Sequence, residues 1–149
     1  MATSTRFAVA IHILTHISLR HGQAVRSEDI AHSVNTNPAV VRRILGALAA
    51  AGLTQAQLGQ GGGALLAKPV AQITLLDIYR AVEEPPTFAL HRVPPNPDCY
   101  IGRNIIPVLE SEFGRLSAAL DDALAATTMA DIVGRVEANA GTPYRADGV

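Results

Sequence analysis

The sequence has one cysteine and no tryptophan, and only 4% of its 149 residues are aromatic. A single cysteine excludes an intramolecular disulfide framework. The sequence also lacks any apolar run of the roughly 18 residues that a membrane span requires, and it opens without a secretory signal. These absences favour a cytoplasmic protein that does not act at a membrane. The 48% of hydrophobic residues indicate a helical domain that can bury a substantial core.

Charged residues make up 17% of the chain and the net charge is −1, which by itself argues against nucleic-acid binding. The charges are unevenly distributed, however. Residues 1–70 carry six cations and two anions, a net +4, whereas residues 71–149 carry six cations and eleven anions, a net −5. A basic first half and an acidic second half favour separate tasks for the two halves.

The segment 37–53, NPAVVRRILGALAAAGL, has the pattern of an amphipathic helix. Asn37 suits the N-cap, Pro38 the first turn and Gly52 a left-handed C-terminal end. Apolar residues recur at helical spacing, and Arg42 and Arg43 fall on the other side. Such a helix could enter a DNA major groove or be an ordinary amphipathic helix. The elements on either side of it in the sequence distinguish these two interpretations.

A second short helix is predicted just before this one. Ser27 is expected to cap a helix over residues 28–34, with Glu28 and Asp29 in the first turn, where the helix dipole favours acids. Asn35 and Thr36 then form a short turn. Two short helices joined by a tight turn are the core of a helix-turn-helix unit, although many helical hairpins share this pattern.

A β-hairpin is predicted directly after the arginine-bearing helix. Residues 54–58 and 64–67 are short segments on either side of the glycine-rich run 59–63, GQGGG. A hairpin at this place is the wing of a winged helix-turn-helix. A nucleotide-binding glycine loop would instead require a preceding buried strand and a following helix, which this segment lacks.

The second half of the chain is predicted to contain a long helix behind a loop. Thr74 and Asp77 predict a capping box for a helix over residues 75–82, and a proline-rich loop that ends at Cys99 follows. From Asn104 a helix of about 22 residues and roughly 33 Å begins. Its apolar stripe indicates a homodimer, and packing on the first helix of its own chain is the alternative. The stripe consists of Ile105, Leu109, Phe113, Leu116, Leu120 and Leu124.

Catalytic and metal-binding patterns are weak. His12 and His16 have the spacing of a helical metal pair, but no acidic or thiol ligand lies near them in sequence, and we interpret them as partly buried or surface histidines. We find no nucleophile–base constellation and no closely spaced ligand set. We therefore predict that the protein is not an enzyme and that it holds no metal.

In this order, the elements resemble the Rrf2 family of bacterial transcriptional regulators. The resemblance rests on TRFAVAIHIL, SEDIA, NPAVVRRILGALAAAGL, GQGGGALLAKP and ITLLDIYRAVE, and it covers residues 3–137. It implies a mainly α fold with a small β-hairpin wing, a homodimer formed through the long helix, and operator binding controlled by a signal at the loop before that helix.

We divide the chain accordingly into four parts. These are a winged helix-turn-helix domain at 1–83, a sensory or linker loop at 84–103, the dimerisation helix with a short C-terminal helix at 104–137, and a mobile tail at 138–149.

Two departures from the family pattern bear on mechanism. Members with an iron–sulfur cluster usually have three closely spaced cysteines before the dimer helix, whereas Cys99 stands alone, so the usual cluster cannot be assembled and we expect no cofactor. A cluster with mixed cysteine, histidine and carboxylate ligands from both protomers, recruiting His91 or His12, is an alternative. Several members also place an arginine before the wing glycines to enter the minor groove, where this sequence has Leu58.

We therefore predict a repressor-type regulator that binds a pseudo-palindromic operator on double-stranded DNA as a homodimer. Cys99 is the predicted oxidation sensor, with Arg103 and the start of the long helix lowering its pKa. An inert cysteine, and a small-molecule signal without redox chemistry, are the alternatives. The predicted DNA contacts are Arg26, Ser27, Thr36, Asn37, Ala39, Val40, Arg42, Arg43, Gln57, Gln60, Gly61, Gly62 and Lys68.

Overall fold

The computed structural model describes residues 4–146, which form six α-helices and one two-stranded sheet. This mainly helical architecture with a single hairpin confirms the predicted fold class. A short 3₁₀ turn precedes α4. In chain order the elements are α1 (Arg6–Leu19), α2 (Ser27–Val34), α3 (Pro38–Ala50), β1 (Thr54–Gln57), β2 (Gly63–Leu66), α4 (Leu75–Val82), α5 (Gly102–Ala125) and α6 (Met129–Ala140).

Helix α1 lies at the centre of the hydrophobic core and packs against α2, α3, α4 and α6. It is apolar around much of its circumference, as expected of a helix that is covered on several sides. Its buried side chains meet those of the surrounding elements in one cluster. The largest fully buried members are Ile13, Leu14, Val25, Ile30, Val41, Leu48, Leu53, Ile73, Ile78 and Met129.

Helices α2 and α3 form the predicted helix-turn-helix. Asn35 ends α2 in the left-handed conformation, at φ 60°. The Asn37 side chain then accepts a hydrogen bond from the backbone N–H of Ala39 at 2.8 Å, which confirms it as the N-cap of α3. The prediction that Ser27 caps α2 is wrong. The helix begins at Ser27 itself, and Arg26 occupies the N-cap position without a side-chain capping bond.

The wing is an antiparallel hairpin that is anchored to the chain before α2. Strands β1 and β2 pair from Thr54 opposite Leu66 to Gln57 opposite Gly63. Val25 and Ala64 exchange two further backbone hydrogen bonds, of 3.0 and 2.8 Å. Because two four-residue strands are marginally stable by themselves, this third pairing partner helps to fix the wing against the helices.

Two capping boxes join the C-terminal half of the chain to the core. Thr74 and Asp77 form the predicted box at the start of α4, and Thr128 and Asp131 form a second one at the start of α6. The two N-terminal ends lie side by side, because backbone hydrogen bonds connect Leu75 to Thr127 and Met129 to Ile73. Helix α6 therefore shares the core of the winged helix-turn-helix.

Helix α5 is the least covered helix of the fold. It is 24 residues long and contains no buried residue. It packs mainly against α4, rather than against α1 as one reading of the sequence allowed. It begins at Gly102, two residues before the predicted start, and Pro107 lies within its N-terminal part. Among residues 4–146, no helix is long and apolar enough to cross a membrane.

The predicted tail at 138–149 differs in part from the structure. Helix α6 continues to Ala140 and ends at Gly141 in the left-handed conformation. Tyr144 is partly buried and packs against the hydrophobic core. The first half of this segment is therefore attached to the domain, and the last residues, 147–149, lie outside the described part of the chain.

We predict that Gly63→Ala destabilises the fold, because a Cβ atom at this position would collide with the backbone of Val25 and separate the wing from its anchor. The free energy of unfolding should fall by about 1–3 kcal/mol, as in other overpacked sites, and urea titration followed by circular dichroism measures it. Gly46→Ala is the matched control, because its Cβ meets nothing within 4 Å. It should raise stability by up to about 1 kcal/mol through helix propensity. Equal effects of the two substitutions would contradict the anchoring role of Gly63.

Candidate nucleic-acid interface

The start of α2, the exposed side of α3 and the wing surround one cleft of about 330 Å³. Ser27, Arg42 and Gln57 contribute to its lining from these three elements. Helix α3 positions Arg42 because Val41, Ile44 and Leu48 are buried beneath it and fix the rotation of the helix. The structure thus brings together predicted DNA contacts that are 30 residues apart in sequence.

Arg42 and Arg43 lie on different flanks of α3. Both are exposed, but Arg43 lines a second cleft, between α3, the N-terminal end of α1 and the C-terminal end of α4. Consecutive helical residues are separated by about 100°, so adjacent arginines cannot point the same way. The pair therefore brackets the outermost line of the helix instead of forming a single cluster.

That outermost line between the two arginines consists of small residues. Ala39, Gly46 and Ala50 are all exposed, and a Cβ at Gly46 would meet nothing within 4 Å. A helix with small residues on its outer line and arginines on both sides presents a narrow ridge that fits the roughly 12 Å width of a major groove. Guanidinium groups on the flanks can then reach base edges or phosphates.

The remaining predicted contacts of the helix-turn-helix surround the N-terminal end of α3. Asn37 is exposed, and its amide NH₂ group stays available as a donor because only its oxygen takes part in capping. Thr36 is half-buried. Val40 is half-buried too and lines the cleft on the Arg43 side. The helix N-terminus carries partial positive charge, which suits a phosphate.

The tip of the wing is exposed and uncharged. Leu58 has 89% of its surface exposed, and Gln57, Gln60 and Gly61 are exposed beside it. Gly62 is constrained to be glycine, because a Cβ there would collide with the carbonyl oxygen of Gln57. The wing can therefore contact a groove through amide groups, backbone and an apolar side chain, but without a cation.

Lys68 is not part of the cleft around Arg42. It is half-buried and lines a separate cleft, of about 410 Å³, beside Ile17 and Ser18 of α1. If it reaches DNA, it does so from the other face of the hairpin. Arg26, by contrast, is exposed directly before α2. It lies close to the Arg42 cleft, because both arginines approach the carboxylate of Glu28.

Sequence reasoning missed the role of Glu28 in this site. Its carboxylate forms an ion pair with Arg42 at 2.5 Å, and it lies 3.8 Å from Nε of Arg26. Its own backbone N–H at the start of α2 and the neighbouring arginines lower the pKa of Glu28 below its ordinary value. The sequence showed an acid at a helix N-terminus, but only the packing of α2 against α3 reveals the partner.

Cys99 is exposed and lies in the turn three residues before α5 begins. The backbone N–H groups of Gly102 and Ile101 hold the pKa of the Cys99 thiol below its usual value. The start of the helix thus acts as predicted. Arg103 does not, because its guanidinium lies over the ring of Tyr100, 5.8 Å from the centroid.

The predicted histidine pair lies at the interface between α1 and α2. His12 Nε2 is 2.8 Å from Ser33 Oγ, and burial together with nearby Arg20 and His12 lowers the pKa of His16. Among residues 4–146, no three histidine, cysteine or acidic side chains are close enough to hold a metal ion. With a single thiol available, the donor set of one chain does not fit an iron–sulfur cluster.

Comparison with known proteins gives a consistent result. The sequence profile of the family described as Rrf2, iron-dependent transcriptional regulator, matches residues 3–135. YwnA of Bacillus subtilis (strain 168), which is named as an HTH-type transcriptional regulator, is 40% identical over 131 residues, covering 87% of this chain and 96% of YwnA.

Two solved structures are similar to the fold. One, a crystal structure described as a DNA-binding protein, is 39% identical with a TM-score of 0.69, covering 85% of this chain and 97% of the other. The second is CymR, the global cysteine regulator of B. subtilis, with 24% identity and a TM-score of 0.68, covering 91% of this chain and 98% of CymR. At this identity, the likeness to CymR concerns the fold alone.

Proposed function

This chain belongs to the Rrf2 family of DNA-binding transcriptional regulators, and from that premise we propose that it is a homodimeric repressor whose operator binding is controlled by oxidation of Cys99. The observation that carries the DNA-binding assignment is α3, with an arginine on each flank and the wing beside it. The regulatory assignment rests on Cys99 in the turn just before the least covered helix.

In the proposed complex, α3 lies in the major groove and the wing follows the adjacent backbone or minor groove. Arg42 and Arg43 contact base edges, because a guanidinium can bind guanine O6 and N7 with two hydrogen bonds. Phosphate contacts fix the register of the protein without reading sequence. These come from Arg26, Ser27, Thr36, Asn37 and the backbone at Ala39 and Val40, from Gln57, Gln60, Gly61 and Gly62 of the wing, and from Lys68.

The proposed dimer forms through α5. The stripe predicted from the sequence lies along one side of this helix, and each of its six residues is only half-buried in the chain. A 24-residue helix without a buried residue leaves apolar surface in water that a second copy can cover. Two identical helix-turn-helix units then require an operator with two related half-sites.

The proposed signal is a peroxide. The Cys99 thiolate attacks one oxygen of hydrogen peroxide, the O–O bond breaks, hydroxide leaves, and the sulfur is oxidised to sulfenic acid. Thiolate is the reactive form, so the lowered pKa of Cys99 favours this step at neutral pH. The sulfenic acid no longer accepts the Gly102 and Ile101 N–H bonds as a thiolate does, which alters the start of α5.

A contact path leads from Cys99 to the DNA-binding surface. Helix α5 packs on α4, and Arg80 of α4 forms an ion pair with Asp121 of α5 at 3.0 Å. Helix α4 in turn packs on α3. A displacement of α5 therefore reaches α3 through one intervening helix.

A small molecule is the second candidate signal. Between α4, the loop after it and α5 lies a cleft of about 430 Å³, lined by residues that include Tyr79, Arg80, Pro86 and Asp121. Its size suits a metabolite, and a ligand there would act on the same α4–α5 contact. A peroxide-insensitive protein that releases DNA on addition of a metabolite would favour this candidate.

We predict that Arg42→Ala and Arg43→Ala each weaken operator binding. The loss of one bidentate guanine contact costs about 1–3 kcal/mol, so the dissociation constant for a promoter fragment from the protein's own locus should rise roughly five- to 150-fold, measured by fluorescence anisotropy. Arg135→Ala, at an exposed position of α6, is the matched control and should have no effect. Unchanged binding by the double variant at positions 42 and 43 would disprove the role of α3.

The dimer is tested by Leu120→Glu, which places a carboxylate in the apolar stripe. Because an unpaired charge is costly to bury, the substitution should raise the dimer dissociation constant by more than about 100-fold, as measured by sedimentation equilibrium. Ser111→Glu is exposed on the opposite side of α5 and should leave the dimer intact. A dimeric Leu120→Glu protein would contradict the assignment of this stripe.

For the signal, Cys99→Ser is the decisive variant. Wild-type protein should lose DNA on treatment with hydrogen peroxide and regain it with dithiothreitol, because sulfenic acids and disulfides are reversible. Cys99→Ser protein should keep its DNA throughout, since it has no thiol. If both proteins release DNA alike, the sensor role of Cys99 is wrong.

A further inference from the structure

Glu28 is an acid in the middle of a surface that must approach a polyanion. It is exposed on the first turn of α2, and its carboxylate contacts Arg42 of α3 at 2.5 Å and lies 3.8 Å from Arg26. Two of the predicted DNA contacts therefore share one counter-charge within the protein. Arg43, on the other flank of α3, has no ion pair among residues 4–146.

The contribution of this ion pair to folding is small. About half of the Arg42 and Glu28 side-chain surfaces is exposed, at 57% and 47%, and an exposed ion pair that solvent screens adds little to the stability of a protein. Neither residue belongs to the hydrophobic core, to which α3 contributes Val41, Ile44 and Leu48. The pair is thus weak enough to be broken by a better partner for Arg42.

We propose that Glu28 competes with DNA for the guanidinium of Arg42, and that this competition increases the discrimination between the operator and other sequences. The inference rests on the proposed function of α3 as the DNA-reading helix. In the free protein, Arg42 is held by Glu28. On the operator, a guanine edge displaces the carboxylate with two hydrogen bonds. On other DNA, Arg42 stays with Glu28.

The reason lies in what each DNA acceptor offers. A guanine edge supplies two aligned acceptors at a fixed place in the groove, which discriminates guanine from another base by about five- to 150-fold in affinity. A phosphate supplies mainly charge, and it must approach within a few ångströms of the Glu28 carboxylate, which repels it. Glu28 therefore weakens the sequence-independent part of binding more than the sequence-dependent part. Arg43 lacks such a competitor in the described structure and can bind phosphate on any sequence.

The test compares Glu28→Gln with wild type on two duplexes. One is selected from a random-sequence library with wild-type protein, and the other has mixed sequence. Glu28→Gln frees Arg42 to bind phosphate. For each protomer that contacts mixed-sequence DNA, the slope of log K against log salt should steepen by about 0.9, which corresponds to about eightfold tighter binding at 0.1 M salt. Affinity for the selected duplex should rise much less. The specificity ratio, which is the affinity for the selected duplex divided by that for the mixed-sequence duplex, should therefore fall several-fold.

Asp29→Asn is the matched control. Asp29 is the adjacent exposed acid on the same helical turn, and it forms no ion pair with an arginine within residues 4–146. The substitution alters net charge and the helix terminus as Glu28→Gln does, but leaves Arg42 held. Its specificity ratio should equal that of wild type. Circular dichroism and urea titration check that both variants fold normally.

A double variant isolates the pair itself. In an Arg42→Ala background, Glu28→Gln should change binding to mixed-sequence DNA several-fold less than it does in the wild-type background, because only Arg26, which is 3.8 Å from the carboxylate, is still held by Glu28. The proposal is overturned if Glu28→Gln leaves the specificity ratio unchanged or weakens operator binding, which would make Glu28 a support that orients Arg42. It is equally overturned if Asp29→Asn or the double variant reproduces the effect.

These results are distinguishable from failure of the proposed function. If the wild-type protein enriches no sequence from the library, α3 is not a reading helix and both ideas fail together. If the wild type enriches a sequence and Arg42→Ala weakens its binding, but Glu28→Gln changes nothing, the competition alone is wrong.

Discussion

The site depends on the two backbone hydrogen bonds between Val25 and Ala64, because they hold the wing in place beside α3. The two backbones lie so close together there that a Cβ atom at Gly63 would collide with Val25. Val25 directly precedes Arg26 and the start of α2, so the same contact orders the wing and the N-terminal end of the helix-turn-helix. This short strand pairing, together with the packing of β1 on α3, thus sets the position of the wing beside Arg42.

Local signals in the sequence predict much of this fold, and contacts between elements explain the rest. Asn37 and Thr74 were identifiable because a cap and its partner lie within three residues of each other, and both are confirmed. The glycine-rich tip likewise predicts the hairpin. The Glu28–Arg42 pair spans 14 residues and depends on how α2 packs on α3, so no local pattern contains it. Arg42 and Arg43 line different clefts because the wing packs on one side of α3, whereas α1 and α4 pack on the other.

Opposite charges organise the protein at two scales. Along the chain, a basic half that carries the helix-turn-helix precedes an acidic half that carries α5. Beside the cleft, the single carboxylate of Glu28 forms ion pairs with two arginines. A regulator must leave most of the DNA it meets, because non-specific sites vastly outnumber operators. A moderate positive charge around α3, the helix proposed to contact DNA, allows faster release from non-specific sites than the highest possible positive charge would.

The adjoining starts of α4 and α6 have a mechanical consequence. Each helix begins with its own capping box, and backbone hydrogen bonds connect the two N-terminal ends. Helix α6 packs on α1, and α4 packs on α1, α3 and α5. The two helices therefore lie against the central helix as one connected unit, and in the proposed mechanism a displacement of α5 acts on both of them through α4.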